Sequence, residues 1–145
     1  MTDGLSDDQI EDVLDTMHVI ALVGYSEKEE RPSNRVAKFL KSRGYRVIPV
    51  NPGLAGQEAL DEEIVASLSD IPAEFGVDTI DIFRASDAVP GIIDEALTAL
   101  PALQTVWMQL GVISEEAAQK ARAAGKVVVM DRCPKIEIPR LGLMG

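Results

Sequence analysis

The sequence contains one cysteine, one histidine and few aromatic side chains among its 145 residues. A single cysteine excludes an internal disulfide, and one cysteine with one histidine cannot form the usual Cys/His cluster that holds zinc. No apolar run approaches the roughly 20 residues of a membrane span. The first eight residues lack the basic and then apolar pattern of a signal peptide. These absences predict a soluble protein of the reducing cytoplasm without a metal site.

Basic residues are also scarce, with 14 lysines and arginines against 24 acidic residues and a net charge of −10. Nucleic acids and anionic membrane surfaces both recruit clustered Lys and Arg, so we expect neither as a partner. Apolar residues make up 46% of the chain and charged residues 26%, which is typical of a globular protein. A chain of this length predicts one domain, here residues 1–145, and the composition does not indicate an oligomeric state.

Short apolar runs alternate with helical patterns along the chain. Strands are predicted over 18–23, 46–50, 79–83, 105–108 and 127–130, and helices are predicted to begin near Ser6, Ser33, Pro90 and Ser114. The stretch from Leu54 to Pro72 is either a short strand or an irregular segment. This order predicts an α/β fold with a parallel sheet and helices on both faces. Right-handed crossovers then place the carboxyl ends of the strands at one edge, where the ligands of such sheets bind.

The loop after the first predicted strand carries the strongest binding signal. Gly24 permits a tight exit from the strand, and Ser33 or Asn34 is expected to open a helix whose free N–H groups attract anions. Three cations can add charge to this loop: Lys28, Arg31 and Arg35. These features suit a pyrophosphate, and a solvated charged loop capped by Ser33 explains them equally well.

A nicotinamide dinucleotide fits the sequence less well. Only Gly24 of a G-x-G-x-x-G pattern is present, and Asn51 stands where such sites usually place an acid for the ribose. A small NAD(P)-binding enzyme or redox sensor therefore remains the alternative. A module that uses the same edge to bind a partner chain is a third interpretation.

Side chains suited to catalysis are scarce at the predicted binding edge. His18 begins the first strand, at the opposite edge. Asp81 and Asp131 are candidates for an acid and base pair, although acids at such positions more often cap helices or bond backbone amides. Cys133 is either a half-buried small hydrophobe or a thiol at the binding edge, where Arg132 or a helix N-terminus would lower its pKa. The sequence thus favours a binding protein over an enzyme.

Six blocks of sequence, in this order, resemble a known family. They are Val23-Gly24-Tyr25-Ser26, Arg31-Pro32-Ser33, Gly44 to Pro52, Asp81-Ile82-Phe83-Arg84, Val106 to Gly111, and Met130 to Glu137. The chain resembles the small CoA-binding proteins, which are similar to the N-terminal domain of the succinyl-CoA synthetase α subunit. The resemblance covers about Ile20 to Leu141 and implies a Rossmann-like three-layer α/β sandwich with a mainly parallel sheet.

The resemblance further implies a ligand, coenzyme A, and a function. The synthetase's second domain, which carries its phosphohistidine, has no counterpart in the 145 residues. We therefore expect non-catalytic binding of CoA or an acyl-CoA, by a carrier, sensor or regulatory protein.

The resemblance assigns the blocks to parts of CoA. The loop at the phosphates comprises Gly24, Tyr25 and Ser26, beside the charged or helix-opening residues Lys28, Arg31 and Ser33. The region flanking the adenosine comprises Arg46, Val50, Asn51 and Pro52. The nucleotide is expected to pass over Phe83 and Arg84, and the pantetheine arm to lie near Met108, Gln109 and Leu110. Cys133 and Pro134 resemble the Asn-Cys-Pro turn of the synthetase.

Overall fold

The computed structural model of the chain describes residues 3–143. Its helices and strands, in chain order, are α1 (Asp7–Thr16), β1 (Val19–Val23), α2 (Pro32–Ser42), β2 (Arg46–Val50), β3 (Glu58–Ala59), β4 (Glu62–Glu63), β5 (Thr79–Ile82), α3 (Val89–Ala99), β6 (Thr105–Met108), α4 (Glu115–Ala123), β7 (Val127–Val129) and α5 (Pro134–Arg140). The predicted bounds of β2 and β6 match the observed ones.

Five of the strands form one parallel sheet in the order β2-β1-β5-β6-β7. The chain moves outward from β1 to β2 and then returns to the other side of β1, so the strand order reverses between β1 and β5. Ligands of such sheets bind outside the carboxyl ends of the strands at this reversal. The predicted α/β Rossmann-like fold is therefore confirmed, and its carboxyl edge is the place to look for a site.

Side chains alternate between the two faces of the sheet and build a core on each. In β1, Ile20 and Leu22 face the layer of α1, α2 and α5, whereas Ala21 and Val23 face the layer of α3 and α4. All four of these side chains are at most 6% exposed. Burial on both faces explains why the strands are continuous apolar runs in the sequence.

Helix ends follow the predicted caps in two cases and depart from them in a third. Ser6 and Gln9 form a reciprocal capping box at α1, and the Ser114 hydroxyl accepts the N–H of Ala117 at 3.2 Å. The prediction that Ser33 or Asn34 opens α2 was wrong, because the helix starts at Pro32 with Arg31 in the N-cap position. Ser33 instead lies in the first turn and is 5% exposed.

The segment from Leu54 to Pro72, which the sequence left open, contains a small hairpin and a bridge to the sheet. Strands β3 and β4 pair antiparallel across a turn in which Leu60 and Asp61 have φ values of 58° and 61°. Val65 then forms a parallel bridge with Val50. This bridge brings the segment alongside the carboxyl end of β2, where it lines part of the site.

Three further observations bear on function. His18 directly precedes β1, and its backbone N–H donates to the carboxylate of Asp78. Within residues 3–143, no helix has the length and apolar character needed to cross a membrane. The same residues include no group of three or more His, Cys, Asp or Glu side chains arranged to hold a metal ion.

Candidate functional site

Gly24 allows the chain to leave β1 across the end of β5. Its φ of +90° lies in the left-handed region, and a Cβ built on it would stand 2.5 Å from the carbonyl oxygen of Phe83. The N–H groups of Gly24 and Tyr25 both donate to the carbonyl oxygen of Val50, at 3.0 and 3.1 Å. The loop is thereby held against the ends of both strands that flank β1, and a larger residue at position 24 would displace it.

Two asparagine side chains fix the rest of this loop. Asn51 Nδ2 donates to the carbonyl oxygen of Tyr25 at 2.6 Å, while Asn51 Oδ1 accepts the N–H of Gly53 at 2.7 Å. Asn34 Nδ2 donates to the carbonyl oxygen of Ser26 at 2.9 Å and to the Tyr25 hydroxyl at 3.4 Å. The sequence indicates Asn34 only as a residue that could open the helix, and nothing in the sequence indicates that its side chain turns back to the loop.

A cationic pocket of about 390 Å³ lies between this loop and the start of α2. Its lining comprises Gly24, Tyr25, Ser26, Lys28, Arg31, Pro32, Ser33, Asn51 and Phe83. The first turn of α2 contains no acidic residue and no side-chain cap. Pro32 has no N–H, and the N–H groups of Asn34 and Arg35 donate to the carbonyl oxygen of Arg31, so Ser33 is the residue of this turn that offers its N–H to an anion. Lys28 and Arg31 add two positive charges, so the pocket suits a phosphate or pyrophosphate.

A second pocket, here called the polar pocket, has about 430 Å³ and lies beyond the ends of β2 and β5. Its lining includes Val50, Asn51, Pro52, Ser67, Phe83, Arg84 and Glu95. The carboxylate of Glu95 accepts hydrogen bonds from the N–H and hydroxyl of Ser69, at 3.1 and 2.7 Å. Ser67 and Glu95 were not predicted as site residues, because they come from a segment without a recognisable pattern and from the middle of a helix.

A third pocket, here called the apolar pocket, has about 360 Å³ and lies over the ends of β5 and β6. Its lining comprises Pro32, Val36, Phe83, Arg84, Gln109, Leu110, Val112 and Cys133. Leu110 is 54% exposed at its mouth, whereas Cys133 is 6% exposed. The pocket offers a mainly apolar passage from the surface to a buried thiol.

These three pockets form one groove along the carboxyl edge. Phe83 lines all three of them, Gly24 and Asn51 are shared by the polar and cationic pockets, Pro32 by the cationic and apolar pockets, and Arg84 by the polar and apolar pockets. A ligand that fills the groove would therefore have a polar part, an anionic part and a largely apolar arm, which meet at Phe83. The structure brings together residues from all six sequence blocks at this groove.

Several buried acceptors beside the groove have no hydrogen-bond partner within residues 3–143. They are Oδ1 of Asn34, both carboxylate oxygens of Asp81 and Oε1 of Gln109. Asp81 is 1% exposed, and burial raises its pKa well above the usual value. The expectation that Asp81 caps a helix or bonds a backbone amide was wrong. Asp131 does bond one, because its Oδ1 accepts the N–H of Gly111 at 2.7 Å.

The surroundings of Cys133 differ from the sequence prediction. Arg132 does not approach the thiol, because its guanidinium donates to both carboxylate oxygens of Asp3 and to Glu137, at 2.8 to 2.9 Å. Cys133 is the N-cap residue of α5, so the predicted helix N-terminus is present. Burial raises the pKa of the thiol, and the Gln109 side chain and the N–H groups of Lys135 and Ile136 offset this only in part, so the pKa is raised and the predicted net lowering was wrong.

Three predicted site residues lie outside the groove. Arg35 lines none of its pockets, and its Nε donates to the carbonyl oxygen of Glu29 at 3.1 Å. Arg46 is the first residue of β2 and pairs in register with Val19, at the amino edge of the sheet. Its guanidinium donates to Glu62 at 2.7 Å and stacks 4.1 Å from the ring of Phe75. Met108 is fully buried in the core under α3 and α4 and does not line the groove. The remaining predicted residues lie at the carboxyl edge, as their places after the strands indicate.

The fold and the groove define a class of protein: a Rossmann-like α/β domain that presents an extended site with a polar, a cationic and an apolar pocket. Residues 18–139 match the family described as the CoA binding domain. The chain belongs to this family of CoA-binding domains, and the resemblance carried by the six sequence blocks is confirmed.

Individual relatives agree with this assignment. The chain is 37% identical over 129 residues to the uncharacterized protein YneT of Bacillus subtilis (strain 168). The aligned region covers 88% of this chain and 90% of the relative. The solved structure of a Thermus thermophilus protein, cell-free ID.343, superposes with a TM-score of 0.86 at 36% identity over 94% of this chain and 99% of the other. A dinucleotide-forming acetyl-coenzyme A synthetase of Ca. Korarchaeum cryptofilum is similar over 78% of this chain and 25% of its own, with 25% identity and a TM-score of 0.62.

Proposed function

We propose that the protein binds CoA or an acyl-CoA without turning it over, as a carrier, sensor or regulatory protein of the cytoplasm. The observation that carries the proposal is the series of three pockets joined at Phe83. CoA contains the same three kinds of chemistry: a polar nucleoside, an anionic pyrophosphate and a long arm. Membership in a family of CoA-binding domains supports the same ligand.

The nucleotide end of CoA suits the polar and cationic pockets. The pyrophosphate would accept the N–H of Ser33, in the first turn of α2, and pair with Lys28 and Arg31. The adenosine would lie in the polar pocket between Pro52 and Arg84, where Ser67 and Glu95 offer hydrogen bonds. Ordinary NAD sites place the pyrophosphate on a three-glycine turn, which this chain lacks.

The pantetheine arm suits the apolar pocket. The arm carries two amide groups on an otherwise apolar chain, and Gln109 Oε1 is a buried acceptor without a partner in the described part of the chain. An amide N–H of the arm would satisfy that acceptor, whose isolation otherwise costs about 1–3 kcal/mol. Pro32, Val36 and Leu110 would cover the methylene groups.

Two features of the structure support binding without turnover. His18 lies at the amino edge, a strand length from the groove, and so cannot reach a ligand at the carboxyl edge to carry a phosphoryl group. The carboxylate of Asp131 is engaged with the N–H of Gly111, which makes it a poor general base. We expect no release of thiol from acetyl-, succinyl- or long-chain acyl-CoA, and no nucleotide-dependent ligation of CoA. Turnover that disappears in Asp131→Asn would show that the protein is an enzyme.

Isothermal titration tests the ligand directly. We expect CoA to bind with a dissociation constant on the order of micromolar, and NAD to bind much more weakly. Arg31→Ala should weaken CoA binding about tenfold or more, because it removes a charge from the cationic pocket. Arg43→Ala is the matched control, since Arg43 follows the last turn of α2, away from the groove. Tighter binding of NAD than of CoA, or equal losses in the two variants, would contradict the proposal.

A further inference from the structure

The inner end of the apolar pocket contains a thiol beside a polar side chain that lacks a partner. Cys133 and Gln109 both line the pocket, and they are 6% and 5% exposed. Gln109 Oε1 has no hydrogen-bond partner within residues 3–143. Cys133 is the one cysteine of the sequence. A buried thiol and an unsatisfied acceptor at the end of an apolar passage indicate that a ligand reaches this point.

Asp81 lies on the same face of the sheet as this thiol. In the strand register Asp81 stands between Leu22 of β1 and Trp107 of β6, which belong to the same buried cluster as Cys133. Within residues 3–143 the carboxyl of Asp81 has no hydrogen-bond partner, and in its ionised form it adds to the raised pKa of the Cys133 thiol. Burial and this carboxyl together keep the thiol protonated and poorly reactive toward solutes that do not bind in the groove.

We propose that Cys133 is a ligand-gated redox site, at which the protein forms a mixed disulfide with CoA delivered as CoA disulfide. This inference rests on the proposed function, because the groove must first hold one CoA half with its sulfur in the apolar pocket. Leu110, exposed at the mouth of the pocket, marks the opening through which the other half extends into solvent.

The exchange needs no other oxidant. The Cys133 sulfur attacks the sulfur of the seated CoA half, and a new sulfur–sulfur bond forms as that of CoA disulfide breaks. The electron pair of the broken bond leaves with the outer CoA sulfur, which takes up the proton lost by the Cys133 thiol. One disulfide is consumed and one is formed, and one molecule of CoA thiol is released.

Binding supplies the selectivity of this reaction. A thiol with a raised pKa presents little thiolate at neutral pH, so a disulfide that merely collides with it reacts slowly. A disulfide held in the groove stays beside the thiol, which raises its effective concentration. We therefore expect CoA disulfide to react at least about tenfold faster than oxidised glutathione at equal concentration, a difference of about 1.4 kcal/mol in barrier.

Intact-mass spectrometry of the full chain follows the reaction, and the single cysteine makes the assignment unambiguous. We expect CoA disulfide to add one CoA mass to the wild type and nothing to Cys133→Ser. Arg31→Ala should reduce the advantage of CoA disulfide over oxidised glutathione toward one, while Arg43→Ala should retain it. Gln109→Leu should slow the exchange, because it removes a hydrogen bond that lowers the thiol pKa.

Titration of Cys133→Ser with reduced CoA separates this inference from the proposed function. Binding of reduced CoA without an adduct in the wild type would overturn the redox site and leave CoA binding intact. Equal rates with CoA disulfide and oxidised glutathione would also overturn it. Absence of CoA binding in both proteins would overturn the proposed function itself.

Discussion

Two buried carboxyl groups of this protein, those of Asp3 and Asp81, have opposite surroundings. Asp3 receives hydrogen bonds from Arg132 at 2.8 and 2.9 Å and from the N–H groups of Leu5 and Met130 at 3.0 Å. Asp81 receives none within residues 3–143. A buried acid is normally paired, as Asp3 is, because an unpaired one costs free energy. The corner formed by Asp3 and Arg132 therefore stabilises the fold, whereas the carboxyl of Asp81 is buried at a cost in free energy.

The pKa values of the two groups move in opposite directions. Burial alone would raise the pKa of Asp3, but the hydrogen bonds from Arg132 and the backbone outweigh it and lower that pKa. For Asp81, burial has no opposing contact and raises the pKa well above its usual value. Asp3 therefore stabilises the fold above its unfolded pKa, and that stability is lost as the pH falls. Asp81 stabilises the fold below its unfolded pKa, and that stability is lost as the pH rises.

Breaking the paired corner should have the largest effect. Arg132→Met leaves Asp3 buried without its cation, whereas Glu137 keeps Arg140, and we expect it to lower the free energy of unfolding by about 3–5 kcal/mol. Urea unfolding followed by the fluorescence of Trp107 measures this loss. Lys120→Ala serves as the control. Its partner Asp94 is largely exposed, so the loss should be well under half as large. Equal losses would show that the corner is not the stabilising element.

Relieving the unpaired carboxyl should have an intermediate effect of opposite sign. Asp81→Asn keeps the shape but removes the ionisable group, so we expect a gain of about 1–3 kcal/mol at pH 7. The gain should shrink as the pH falls toward 4, because the folded wild type is then protonated at Asp81 at little cost. Unfolding at pH 4, 5.5 and 7 tests the sign. A gain independent of pH would show that ionisation of Asp81 is not the cause.

Removing an unpaired acceptor from the groove should have the smallest effect on the fold. Gln109→Leu replaces a buried Oε1 without a described partner, so we expect a change in unfolding free energy within about 1 kcal/mol. The same variant should bind CoA several-fold more weakly if the pantetheine arm donates to that oxygen. Thermal unfolding and titration of one sample give both numbers. A large loss of stability with unchanged affinity would show that Gln109 stabilises the fold and does not contact the ligand.

The fold was predictable because its determinants are local or periodic. The apolar runs of β1 and β2, the capping box at Ser6 and the cap at Ser114 all act within a few residues, and each was confirmed. Helix α5 was missed, because Pro139 lies inside it and proline usually excludes a helix interior.

The site was predictable only as far as strand ends indicate it. Residues that follow a strand reach the carboxyl edge, as Gly24, Asn51 and Gln109 do. Arg46 belongs to the same sequence block as Asn51, but the five residues of β2 place the two at opposite edges of the sheet, roughly 13–17 Å apart. The partners of a buried side chain depend on register and on distant segments. The isolation of Asp81 and the pairing of Arg132 with Asp3 could therefore not be predicted from the sequence.

The bond between Asp3 and Arg132 spans 129 positions of the chain. During synthesis the Asp3 carboxylate has no Arg132 cation until 129 further residues have been made. At about 5–20 residues per second, that wait is roughly 6–26 s. The corner of Asp3 and Arg132 therefore closes late in the synthesis of this domain, and until then the segment around Asp3 lacks the ion pair that holds it in the folded protein.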